Sequence, residues 1–164
     1  MIQPSWKDKW VSIQSKFETC SRECRTAYRS DIKCKDSIEA VIADIWNLRD
    51  WLKKDPAVNI PDKSKTIDDY IFSHIFIRAC GDIEIVNKHY SITDQRHEES
   101  KLILEANHHR SRGFWFFKKI PIVYKVVTKY KDNPGNIDEY EDATELANRA
   151  IKEWAIFLKT NQLL

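Results

Sequence analysis

The chain has 164 residues, enough for one compact domain with an ordinary hydrophobic core. Only 3 Gly and 5 Pro disfavour a turn-rich β sandwich or a Gly-loop nucleotide fold, and 12% aromatic residues exclude disorder for most of the chain. Lys and Arg number 27 against 25 Asp and Glu, so any affinity for nucleic acid must come from a local patch rather than from net charge.

Trp6, Trp10, Ile13, Phe17, Cys20, Cys24 and Tyr28 (or Ala27) recur at steps of three and four. This spacing predicts a helix over 5–29 with one narrow apolar seam, capped by Ser5 behind Pro4. Such a seam packs either on a neighbouring helix as core or on a second copy of the chain. In the second case Trp6, Trp10 and Phe17 form the interface.

A second helix is expected over 37–53, with Ile38, Val41, Ile42, Ile45, Leu48 and Leu52 as its stripe. Arg49 falls inside that stripe at 100° per residue. Asp55-Pro56 ends the helix. A third helix is expected as one rod over 66–90, with Thr66 and Asp69 as a capping box and Gly81 as the place for a kink. One face carries Ile67, Tyr70, Ile71, His74, Ile75, Arg78, Asp82, Ile85 and His89. Phe72 and Phe76 lie on the other side, so the first half is apolar nearly all round and suits a central place in a bundle.

The period then changes. Residues 101–107 read as a short strand, 113–118 and 122–130 are rich in aromatic and β-branched types, and 132–135 reads Asp-Asn-Pro-Gly, a turn. A small antiparallel β hairpin or three-stranded meander is expected over about 101–131. The last helix is expected over 138–160, with Tyr140, Ala143, Ala147, Ile151, Trp154 and Leu158 as its stripe. The expected fold is mainly α: a single domain, 1–164, of four helices with a β insertion before the last one.

The four cysteines, Cys20, Cys24, Cys34 and Cys80, form no CxxC pair, and no His stands at zinc-finger spacing. They are expected to be reduced thiols in or near the core, with no metal and no cofactor. Mean hydropathy is −0.57, no apolar run matches a membrane span, and Met1 to Trp10 lacks an apolar signal core. No membrane partner is expected, and the expected compartment is the cytoplasm.

Two polar constellations stand out. His74, Arg78 and Asp82 follow one another at i,i+4 steps on an apolar face, within reach of Arg49. Buried charges are costly unless paired, so these four are read first as a structural polar network and second as a ligand or active site. The other constellation interleaves basic and aromatic residues: His108, His109, Arg110, Arg112, Trp115, Lys118 and Lys119. Rings on a basic strand can stack the bases of a single strand. The competing reading is a strand that lays its aromatic face on the bundle.

Leu48-Arg49-Asp50-Trp51-Leu52, Cys80-Gly81-Asp82-Ile83, Asn87-Lys88-His89 and Glu153-Trp154 with Phe157-Leu158 occur in an order that resembles the HEPN superfamily of prokaryotic helical bundles. The resemblance covers about 38–90 and 138–164. It implies a four-helix bundle, a dimer, and a prokaryotic, defence-associated setting. Many members are metal-independent ribonucleases in which a His does acid–base work and an Arg stabilises phosphate charge. Here the resemblance implies His89, with Arg78, Arg49 and Asp82, as the catalytic group of any such nuclease. The family's Arg slot before His89 is filled by Gly81, Asp82 or Ile83, and Arg78 stands about 16 Å from His89 along a helix.

P-loop, GxGxxG, GxSxG, HExxH and EF-hand patterns are absent from the sequence. The expected function is a non-catalytic interaction module that pairs with a second copy or docks on a larger protein complex. A metal-independent ribonuclease or toxin, and an RNA or DNA binder using 108–119, are the alternatives.

Overall fold

The computed structural model describes residues 5–26, 31–88, 101–107, 123–129 and 141–164, with side chains at 5–24, 33–85 and 142–164. Five helices are described: α1 (Trp6–Thr26), α2 (Asp31–Lys54), α3 (Lys63–Ser73), α4 (Ile75–Lys88) and α5 (Ala143–Thr160).

The head of α1 is a closed capping box. The Asp8 carboxylate accepts the Ser5 N–H at 2.8 Å, and Ser5 Oγ accepts the Asp8 N–H at 3.3 Å. Asp55, at the end of α2, accepts the Trp6 N–H at 3.0 Å. The apolar seam then turns inward: Trp6, Trp10, Ile13, Cys20 and Cys24 are buried and Phe17 is partly buried.

Helices α1 and α2 run antiparallel, because rising positions on one meet falling positions on the other. Asp55 meets Trp6, Asp44 takes the Lys16 ammonium at 2.6 Å, and Ser37 donates to Glu23 at 2.9 Å. Asp44 also accepts Lys9 at 2.6 Å. Burial pushes the Asp44 carboxyl up, but the hydrogen bonds from Lys16 and Lys9 outweigh it and hold the group below its ordinary value.

Cys24 and Cys34 are joined by a disulfide between the end of α1 and the start of α2. The expectation of four reduced thiols is therefore corrected; Cys20 and Cys80 are the free ones, both buried. Separation along the chain conceals this pairing, since only the antiparallel return of α2 brings the two sulfurs together.

The core is shared by all five helices. From α2 it takes Ile38, Val41, Ile42, Ile45, Leu48 and Leu52; from α5 it takes Ala143, Leu146, Ala147, Ala150, Trp154, Phe157 and Leu158. Trp154 fixes the two together by donating its indole N–H to the Ile45 carbonyl at 3.0 Å. The head of α5 is capped by Asp142, whose carboxylate accepts the Thr144 N–H at 2.7 Å.

The expected fold class is corrected in two respects. The rod over 66–90 is two helices, broken at His74, so the described body has five helices rather than four. Backbone ladders are assigned at β1 (Lys101–Asn107), β2 (Val123–Lys129) and β3 (Glu141–Asp142). Apart from Asp142, which caps α5, their side chains lie outside the described residues. The body whose side chains are described is helical, so the β hairpin or meander expected before the last helix is not seen as part of it. Among the described residues no helix is long and apolar enough to cross a membrane.

Two local expectations also change. Thr66 does not cap α3: that helix starts at Lys63 behind Asp62, and the Thr66 hydroxyl donates back to the Pro61 carbonyl at 2.8 Å. Gly81 does not kink α4. A Cβ there would lie 2.6 Å from the Trp46 ring, so the glycine lets α2 and α4 approach across that ring.

Candidate functional site

The described polar groups gather at the break between α3 and α4. In a continuous helix the Tyr70 carbonyl would accept the N–H of residue 74. Here it accepts His74 Nδ1 at 2.7 Å and the Ser73 hydroxyl at 2.9 Å. The His74 N–H goes one residue short, to Ile71 at 3.1 Å. His74 is extended, with φ −115° and ψ 102°. Its own carbonyl then accepts the Arg78 N–H at 3.1 Å and starts α4. Side chains that compete for backbone acceptors are a recognised way to end a helix, and Ser73 and His74 do so together.

Helix α5 holds the break from inside. Glu153 accepts the Ile77 N–H through its carboxylate at 3.0 Å, and its backbone carbonyl accepts the Tyr70 hydroxyl at 2.7 Å. The first amides of a helix lack partners of their own, and negative charge is favoured there. The Tyr70 ring stacks on His74 at 3.6 Å and tilts against Phe157 at 4.7 Å. Burial, then the Glu153 carboxylate, push the Tyr70 phenol up to about 12, so it stays a proton donor. The same two causes, in the same order, push up the Cys80 thiol.

The rim of the break is exposed and apolar. Phe72 is 75% exposed and Ile75 is 59% exposed. Arg78 donates to the Phe72 carbonyl at 3.3 Å, and its guanidinium lies 5.8 Å from the Phe72 ring centre. It thus places positive charge at the C-terminal end of α3.

The expected polar network of Arg49, His74, Arg78 and Asp82 is not assembled as one ladder. His74 and Arg78 each reach a backbone carbonyl of α3. Arg49 lies over the Trp46 ring at 3.9 Å, with Nε 3.2 Å from Asp50. Asp82 is half-buried on α4. The physical reason is the extended residue at position 74, which shifts the helical phase. The inward side of α4 is Ile77, Cys80, Gly81, Ile83 and Glu84, while Ile75 and Arg78 are turned outward.

Trp6 and Trp10 are 1% and 4% exposed within the chain's own core, so they leave no surface for a second copy; this corrects the interface expected there. Phe17 is partly buried against the same core. His89 and the basic-aromatic set, His108, His109, Arg110, Arg112, Trp115, Lys118 and Lys119, lie outside the described residues.

Three residues not singled out for a role from spacing prove central or unusual. Tyr70 and Glu153 hold the break, and among the described residues Glu84 is a charged residue buried in the core. Glu84 stands seven residues after Ile77, two helical turns on, which is the signal that could have placed it inward. Among the described residues no group of three His, Cys, Asp or Glu is arranged to hold a metal ion. No family model, curated protein or solved structure matches the chain.

Proposed function

We propose that the chain is a non-catalytic interaction module that pairs with a second copy of itself through the rim of the α3–α4 break. The observation that carries this reading is the exposure of Phe72 and Ile75, two large apolar side chains on either side of His74. Neighbouring exposed apolar side chains favour association, because burying each one against a partner contributes about 1.5–3 kcal/mol. Arg78 beside them supplies a polar edge.

The non-catalytic part of the reading is supported by the state of the candidate groups. His74 and Arg78 are engaged with backbone carbonyls, and Arg49 lies over the Trp46 ring beside Asp50, its buried Nε making no hydrogen bond among the described residues. The resemblance to the HEPN superfamily agrees with a self-pairing bundle in a prokaryotic, defence-associated setting. Such a module would work in the cytoplasm, where thiol pools keep most cysteines reduced. The Cys24–Cys34 bond is then a conditional link rather than a permanent one.

The test is the solution mass across a range of concentrations, for the wild type and for Phe72→Ser/Ile75→Ser. Self-pairing predicts a dimer that dissociates in the double variant. An RNA-cleavage assay without metal runs beside it, and intact RNA is the expected result. Cleavage lost on Arg78→Ala would replace this reading with a nuclease.

A further inference from the structure

Three of the four cysteines meet at one buried corner. Cys20 and Cys24 lie one turn apart on α1, and Cys34 lies near the start of α2. Their residues are 3%, 5% and 1% exposed. Cys24 is bonded to Cys34, and the free Cys20 sulfur lies 3.9 Å from the Cys24 sulfur. A thiol in van der Waals contact with a disulfide sulfur is placed for exchange, which proceeds by attack of one sulfur on another.

We propose that this corner is an internal thiol–disulfide exchange site, with Cys24 the shared sulfur and Cys20 and Cys34 its alternating partners. Cys20 sulfur forms a bond to Cys24 sulfur as the Cys24–Cys34 bond breaks. Cys34 leaves as a thiolate and takes up a proton equivalent to the one Cys20 gave. One disulfide and one thiol stand on each side, so the step needs no oxidant or reductant. The product needs a local change in α1: Cα atoms four apart on an α-helix are about 6.2 Å apart, within the disulfide range, but their Cβ atoms are about 5–6 Å apart and a disulfide spans about 3.5–4.5 Å, so the last turns of α1 around Cys20 and Cys24 must loosen as the new bond forms.

Exchange moves a link between two helices into one helix. The Cys24–Cys34 bond staples α1 to α2; the Cys20–Cys24 bond joins two turns of α1 and frees a thiol on α2. The neighbourhood slows the step at neutral pH. Burial, then the carboxylates of Glu23 on α1 and Asp142 at the head of α5, push the Cys20 thiol up to about 11. The attacking thiolate is scarce at pH 7, and its fraction rises about tenfold per pH unit below that value.

The sequence makes the pairings separable. Cleavage after Lys and Arg leaves Cys20 in peptide 17–22, Cys24 in 23–25 and Cys34 in 34–35. The full chain is oxidised with glutathione disulfide and incubated at pH 7 and pH 9 with iodoacetamide to trap any released thiol. It is then acid-quenched, digested and mapped by mass. Exchange predicts a cross-link of 17–22 with 23–25 in molecules alkylated at Cys34, forming roughly a hundredfold faster at pH 9. In Cys20→Ser, Cys34 stays linked and untrapped. Three results overturn the proposal: Cys20 as the only alkylated member of the three in disulfide-bearing wild type, trapping of Cys34 undiminished in Cys20→Ser, or no Cys24–Cys34 bond after oxidation. Cys80, buried and free on α4, is the internal control for an inert thiol.

Discussion

Glu153 on α5 accepts the backbone N–H of Ile77 on α4 at 3.0 Å, so a side chain distant in sequence caps the helix that restarts after His74. The same residue receives the Tyr70 hydroxyl on its carbonyl, which ties the end of α3 to α5 as well. The break is therefore braced on both sides by one turn of α5.

This bracing predicts a graded response at position 153. Glu153→Ala leaves the Ile77 amide without its acceptor and should lower unfolding stability by about 0.5–2 kcal/mol. Glu153→Gln keeps an acceptor oxygen and should lose less. Urea denaturation of the two variants checks the order; no loss in either variant would show that the cap contributes nothing.

Gly81 faces the Trp46 ring with no room for a side chain. Gly81→Ala should destabilise the fold by about 1–3 kcal/mol, even though alanine favours helix. Pairing it with Trp46→Leu should recover part of the loss, because the added methyl then meets a smaller neighbour. A denaturant midpoint at or above wild type for Gly81→Ala contradicts the packing described.

Asp44 links α1 to α2 through Lys9 and Lys16, each at 2.6 Å. Its folded-state pKa is depressed below the ordinary 3.8, so its contribution is present above that value. It is lost as pH falls through the folded value, when the carboxylate takes a proton in both states. Stability measured from pH 6 down to pH 2 should therefore fall more steeply in wild type than in Asp44→Asn. Parallel curves would mean that the two ammonium contacts do not stabilise the charged form.

Helices α1, α2 and α5 were legible because each keeps one phase from end to end. The stripes at Trp6–Trp10–Ile13, at Ile38–Ile42–Ile45 and at Ala147–Trp154–Leu158 are all buried. The α3–α4 region was not legible in the same way. Ile67 and Ile71 set a phase that runs on to Ile75, Arg78 and Asp82 in an unbroken rod. One extended residue at His74 rotates the next helix, so Ile77, Cys80 and Ile83 face inward instead. Ser73-His74 was the local cue, since both side chains can take a carbonyl from the backbone. Glu153 and the Cys24–Cys34 bond carry no local cue; they depend on how helices meet.

Accessible apolar residues at the break make the proposed pairing sensitive to charge. Ile75→Asp should weaken association without unfolding the chain, because Ile75 is 59% exposed. Helical circular dichroism should match wild type while the dimer dissociation constant rises at least tenfold. Loss of helix in this variant would instead assign Ile75 to the core.

The most direct measurement is light-scattering mass against concentration for wild type and Phe72→Ser/Ile75→Ser. The account predicts twice the 19.4 kDa chain mass for wild type at high concentration and the single-chain mass for the double variant. A wild-type mass of one chain at every concentration, or a dimer indifferent to both substitutions, contradicts it.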